Sequence, residues 1–159
     1  MAEKKILIVD YDSRSLDAIA SLFEAYSFEI LKAADGQSAY EKFQLESPDL
    51  VILEAILPKI HGFDLTKRIV QESRGRIPVV IVTGLYKGPQ YKHEALTAFG
   101  ASDYFEKPYD AEKLFQSVLT LLKEKIDIGI ELPKPDQVFD YLAGKLAAAE
   151  GKASGGSTH

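Results

Sequence analysis

Asp49-Leu50-Val51-Ile52-Leu53-Glu54-Ala55-Ile56-Leu57-Pro58 is the stretch on which the fold turns. Residues 50–53 are apolar at every position, so both faces of the strand they predict must be covered, as in the middle of a parallel sheet. A carboxylate, Glu54, follows directly at the carboxyl end of that strand. Open parallel sheets bind ligands outside the carboxyl ends of their strands, near the point where strand order reverses. An acidic residue in this place is the first candidate for chemistry.

Runs of the same kind recur on either side. Ile6-Leu7-Ile8-Val9 predicts a first central strand, followed by Asp10-Tyr11-Asp12. Ser13 or Ser15 is placed to cap a helix that carries Leu16, Ile19, Ala20, Phe23 and Tyr26 on one face. Residues 28–31 read as a short strand, and Asp35-Gly36 opens a helix with Ala39, Tyr40 and Phe43 inward, ended by Pro48. Pro58 and Gly62 bracket a turn before an amphipathic helix over 63–71, and a fourth strand covers 79–82. Thr83 to Gln90 is a turn-rich loop, residues 91–99 a helix closed by Gly100, and 103–106 a fifth strand. Asp110 caps a last helix bearing Leu114, Phe115, Val118, Leu119 and Leu122.

Strands that alternate with helices in this way predict an α/β domain with a doubly wound, mostly parallel sheet, complete by about residue 125. Residues 126–150 read as a C-terminal extension: an alternating Ile126, Ile128, Ile130 segment, then Pro133 and Pro135, then a short helix capped by Asp136. Residues 151–159 are rich in Gly and Ser and flexible by composition.

The 159 residues, 46% hydrophobic, suit one domain with a single core. The absence of cysteine excludes disulfides, zinc thiolates and thiol nucleophiles, and fits a reducing compartment. Cytoplasmic localisation is the expectation, because the N-terminal apolar run is too short for a signal h-region or a membrane span. A net charge of -5 would repel phosphate backbones, so nucleic acid binding by this chain alone is not expected. His61 and His93 lack metal-ligand partners at suitable spacing and read as surface residues.

Ordered segments then carry a resemblance. Lys5-Ile6-Leu7-Ile8-Val9-Asp10, residues 48–58 continuing to Gly62-Phe63, Pro78-Val79-Val80-Ile81-Val82-Thr83-Gly84, Phe99-Gly100-Ala101-Ser102-Asp103-Tyr104 and Lys107-Pro108 follow one another in the order of a two-component receiver. Over roughly residues 3–125 the chain resembles a response-regulator receiver domain. The resemblance implies a flavodoxin-like sheet of five parallel strands in the order 2-1-3-4-5. It also implies two acidic residues that help hold Mg²⁺, an aspartate that accepts phosphoryl from a histidine kinase, a hydroxyl and a lysine that contact the phosphoryl group, and an aromatic that reports the switch state.

Carried over residue by residue, Asp10 matches the first acid, Thr83 the hydroxyl, Tyr104 the aromatic and Lys107 the lysine. Tyr11 stands at the second acid, with the next carboxylate displaced to Asp12, and Glu54 stands at the phosphoacceptor. Losing a carboxylate weakens a hard-cation site, so Mg²⁺ at Asp10 and Glu54 is expected to be weak and no cofactor is required. The extra methylene of Glu54 moves its carboxylate about 1.5 Å outward, and misplacement of about 1 Å costs on the order of 100-fold in rate. The longer side chain can reach Lys107 or Thr83 and leave a fixed negative charge there.

The expectation is an atypical receiver, or pseudo-receiver, that acts without phosphorylation as a protein-interaction module and not as an enzyme. The loop after strand four is longer than the resemblance implies, aromatic and basic, which makes Tyr86, Lys87, Tyr91 and Lys92 candidates for a partner surface. Protein partners are expected on the face of helix four, strand five and helix five, or on the extension, with the chain a monomer or weak homodimer. The alternatives are a Mg²⁺-dependent phosphoacceptor under a histidine kinase, and a dimerisation or linker module of a larger regulator.

Overall fold

Strand residues that are apolar on both faces require helices on both sides of their sheet. The computed structural model describes residues 4–125; the expected extension and tail lie outside them. The sheet contains β1 (Lys4–Val9), β2 (Phe28–Ala33), β3 (Leu50–Leu53), β4 (Val79–Thr83) and β5 (Asp103–Glu106), all parallel, in the order β2-β1-β3-β4-β5. Between them run α1 (Ser13–Phe23), α2 (Gly36–Glu46), α3 (Gly62–Ser73) and α4 (Pro89–Thr97), and α5 (Ala111–Lys125) follows β5. The doubly wound architecture and the strand order are those expected.

Period-two alternation sorts the strand side chains into two cores. Leu7, Val9, Val51, Leu53, Val79 and Ile81 pack with Phe43 of α2, Phe63, Leu65 and Ile69 of α3 and Ala95 of α4. Ile6, Ile8, Leu50, Ile52, Val80 and Val82 pack on the other face with Phe23 of α1 and Leu114, Phe115 and Leu122 of α5. The chain leaves β1 for β2 and returns across β1 to β3, so the order reverses between β1 and β3. The register pairs Val9 with Leu53, which brings the next residues, Asp10 and Glu54, to the same edge.

Element ends differ from the sequence expectation for local reasons. β1 starts at Lys4 because Lys4 and Lys5 pair with Phe28 and Glu29 of β2. α4 starts at Pro89, whose fixed φ suits a first helical turn. α1 is capped by Asp12, which accepts from the Arg14 amide, and not by Ser13 or Ser15. His61, read from sequence as a surface residue, caps α3: its Nδ1 accepts from the Phe63 amide at 3.2 Å.

Gly62 begins α3 against the end of β3. Its amide donates to the Ala55 carbonyl at 2.7 Å, and a Cβ there would collide with the Glu54 carbonyl oxygen and the Ala55 backbone. Alanine favours helices over glycine by about 1 kcal/mol, yet overpacking costs about 1–3 kcal/mol. Urea denaturation of Gly62→Ala should show a net loss of stability. Equal or greater stability would mean that α3 is free to shift away from β3.

Candidate functional site

The carboxyl ends of β1 and β3 and the residue that follows β5 bring Asp10, Glu54 and Lys107 together. Lys107 Nζ donates to Asp10 Oδ2 at 2.8 Å and to Glu54 Oε1 at 3.0 Å. Both carboxylates are buried, at 1% and 3% exposure, so an unpaired charge on either would carry a large desolvation cost. The other oxygen of each carboxylate also has a backbone partner. Asp10 Oδ1 accepts from the Asp12 amide at 3.0 Å, Glu54 Oε1 from the Gly84 amide at 3.3 Å, and Glu54 Oε2 from the Ile56 amide at 3.2 Å. Among the described residues no buried side-chain polar atom lacks a hydrogen-bond partner.

Burial alone would pull the Lys107 pKa down, but hydrogen bonds and charges from Asp10 and Glu54 together outweigh it and hold the ammonium above the ordinary lysine value of 10.5. Tyr109, half-buried beside this group, has its phenol raised chiefly by burial, with Lys107 acting in the opposite direction. The site is a buried ion triad with one cation between two anions.

Glu54 reaches Lys107, one of the two partners open to its longer side chain. The Thr83 hydroxyl turns instead to its own loop, accepting from the Leu85 amide at 3.3 Å and the Tyr86 amide at 3.5 Å. The amide next to Thr83, that of Gly84, is what meets Glu54. Tyr104 is buried, and its hydroxyl donates to the Tyr86 carbonyl at 2.5 Å. Its phenol is pushed up to about 12 by burial first, then by the charges of Glu106 and Glu54.

Of the candidate partner residues named from sequence, Tyr86 and Lys87 lie in the β4–α4 loop and Tyr91 and Lys92 in α4; the two lysines are exposed and the two tyrosines half-buried. The Tyr86 ring stacks on Tyr91 with centroids 4.8 Å apart and lies 5.5 Å from His61 and 5.7 Å from Phe63. Its hydroxyl is 3.3 Å from His61 Nε2. Glu106 fixes the far end of the loop, accepting from the Gly88 amide at 2.7 Å. The β4–α4 loop is thereby tied to β4, β5, α3 and α4. Sequence reading missed His61 and Glu106, since histidine is not a preferred cap and a carboxylate at the end of β5 carries no motif.

Asp10 and Glu54 could begin a site for Mg²⁺, but the donors around them fit the ion poorly. Lys107 already sits on one oxygen of each carboxylate, and backbone amides hold the other two. Mg²⁺ requires near-octahedral oxygen ligands at about 2.0–2.1 Å. Among the described residues no group of three or more His, Cys, Asp or Glu side chains is placed to hold a metal. Asp12, expected as a displaced second acid, is instead an exposed helix cap. Tyr11, more than half exposed, supplies no carboxylate.

Residues 6–119 match the family model described as "Response regulator receiver domain". The alkaline phosphatase synthesis transcriptional regulatory protein PhoP of Bacillus subtilis is 26% identical over 147 residues, covering 92% of this chain and 59% of that protein. Protein PilH of Pseudomonas aeruginosa is 29% identical over 119 residues, covering 74% of this chain and 97% of PilH. The chain spans about half the length of several curated regulators it matches. Among solved structures, the Francisella response regulator 1452 receiver domain aligns at a TM-score of 0.71 with 27% identity, over 78% of this chain and all of that one.

Two outcomes follow from the geometry. A raised lysine pKa contributes stability that is fully present below the unfolded-state value and is lost as pH rises through the folded-state value. Urea titrations should therefore show stability falling above pH 10.5; Lys107→Met should lack that step and be weaker at pH 7 by about 3 kcal/mol, as for a broken buried ion pair. In the loop, Tyr86→Ala removes three ring contacts, and amide exchange of residues 84–88 should speed up on the order of 10-fold. Unchanged exchange would show that Glu106 and Thr83 hold the loop without the ring.

Proposed function

Because this chain belongs to the response-regulator receiver family, with a role in signal transduction, we propose that it is an atypical receiver that works without phosphorylation, as a protein-interaction module and not an enzyme. The observation that carries the reading is the state of the Glu54 carboxylate. Glu54 stands where the resemblance puts the phosphoacceptor, and both of its oxygens are engaged by Lys107, Gly84 and Ile56. An attacking carboxylate needs a free, aligned oxygen, and an incoming phosphoryl group needs cationic and amide donors for its own oxygens. Here those donors hold the carboxylate itself. Tyr11 in place of a second acid, and Asp12 turned to capping α1, support the same reading by weakening any Mg²⁺ site.

A fixed carboxylate among these donors stands in for part of a phosphoryl charge. Tyr104, held inward on the β4–α4 loop, connects this charge to the face formed by α4, β5 and α5. On that face a cavity of about 730 Å³ is lined by Lys92, Tyr104, Glu106, Lys113 and Gln116. We place the protein partner there, with Lys92 on α4 and Lys87 on the preceding loop, which the stacking of Tyr86 on Tyr91 of α4 helps hold in position. Cytoplasmic action belongs to the same proposal; among the described residues no helix is long and apolar enough to cross a membrane.

Incubation with Mg²⁺ and acetyl phosphate, or with Mg²⁺ and beryllofluoride, tests the reading by intact mass and by chemical shifts around Tyr104. Unchanged mass and shifts are expected. A stable phospho-adduct, or a saturable Mg²⁺-dependent shift, would establish a working phosphoacceptor instead.

A further inference from the structure

The turn that follows β3 carries a second charged feature, of opposite sign to the chain as a whole. Lys59, Lys67 and Arg68 line a cavity of about 350 Å³, with Ile60, Gln71 and a single carboxylate, Asp64, in the same lining. Three cations against one anion make this a basic pocket on a protein whose net charge is -5.

Lys59 has one long ion pair and Lys67 and Arg68 have none among the described residues, so the pocket keeps most of its positive charge. Lys59 has a φ of 74°, a left-handed conformation that is costly for a residue with a Cβ. The turn is fixed around it: the Ile60 and Gly36 amides both donate to the Pro58 carbonyl, at 2.8 and 3.0 Å. Gly36 at the start of α2 has no room for a Cβ beside the Ile60 carbonyl. Lys59 Nζ remains 3.9 Å from Asp35, and its side chain is 66% exposed. The Arg68 guanidinium lies over the Tyr40 ring at 5.3 Å, and a guanidinium carries its N–H donors in a planar fork that matches a carboxylate. Neither Lys67 nor Arg68 forms a salt bridge with the described residues.

We infer that this pocket docks an acidic segment of a partner protein, with single carboxylates taken by Arg68, Lys67 and Lys59 and an apolar side chain set against the half-buried Ile60. Charge complementarity selects this occupant. The half-buried Ile60 in the same lining favours a peptide, which offers an apolar side chain beside its carboxylates, over inorganic phosphate or a nucleic acid backbone. The inference goes beyond the proposed function and does not depend on the role of Glu54.

Titration of the ¹⁵N-labelled full chain with hexaglutamate at low salt tests it. Saturable shifts confined to residues 59–71 are expected, with affinity reduced on the order of 10-fold in Lys67→Gln/Arg68→Gln and strongly reduced as salt screens the contact. These are exposed positions, and the rest of the spectrum should stay in place; Lys59→Gln offers a second variant of the same pocket should the double one misfold. The inference is overturned if hexaglutamate gives no saturable shift, if shifts spread equally to Lys87, Lys92 and Lys113, if both variants bind as the parent does, or if inorganic phosphate or a DNA duplex binds the pocket as well as hexaglutamate. Each of these results is independent of whether acetyl phosphate modifies the protein.

Discussion

One ammonium group between two buried carboxylates is the contact on which the charged end of this sheet depends. Asp10 and Glu54 are driven together by the register of β1 and β3, which the apolar side chains on both faces fix. Two like charges in that position repel, and neither has access to bulk water. Lys107 resolves the conflict from the end of β5, two strands beyond β3. The contact joins β1, β3 and β5 at an edge where apolar packing has ended.

The same contact separates two roles that one carboxylate could serve. A carboxylate that accepts a phosphoryl group must keep an oxygen available. One that stabilises the sheet end must satisfy both oxygens, as Glu54 does. In the reading proposed above, the longer side chain favours the second role because it reaches the donors itself. The loop above the site is held by other means, with Tyr86 among His61, Phe63 and Tyr91, and Glu106 on the Gly88 amide. Charge at the site and position of the loop are therefore fixed by separate sets of contacts, joined through Thr83, Gly84 and Tyr104.

Much of this was legible in the sequence, for a physical reason. Apolar runs of strand length reveal buried strands, and their carboxyl ends are where side chains converge in such folds, which singles out Asp10 and Glu54; the resemblance adds the strand order and Lys107. What remained hidden depends on loop geometry. Asp12 could have faced a cation or an amide; only the path into α1 shows that it takes the Arg14 amide. Thr83 could have met Glu54, but a tight turn presents the Leu85 and Tyr86 amides to its hydroxyl first. His61 as a helix cap runs against residue preference and is set by the close approach of α3 to β3 at Gly62.

The span of the ion triad along the chain also bears on how the protein is made. Lys107 is 97 residues from Asp10 and 53 from Glu54. During synthesis the first four strands emerge before the cation that neutralises their charged edge. A nascent chain that has not yet released β5 holds two acids that cannot both be buried as anions. Until then the sheet end lacks the cation that compensates its two acids, and the core face that α5 covers is likewise incomplete.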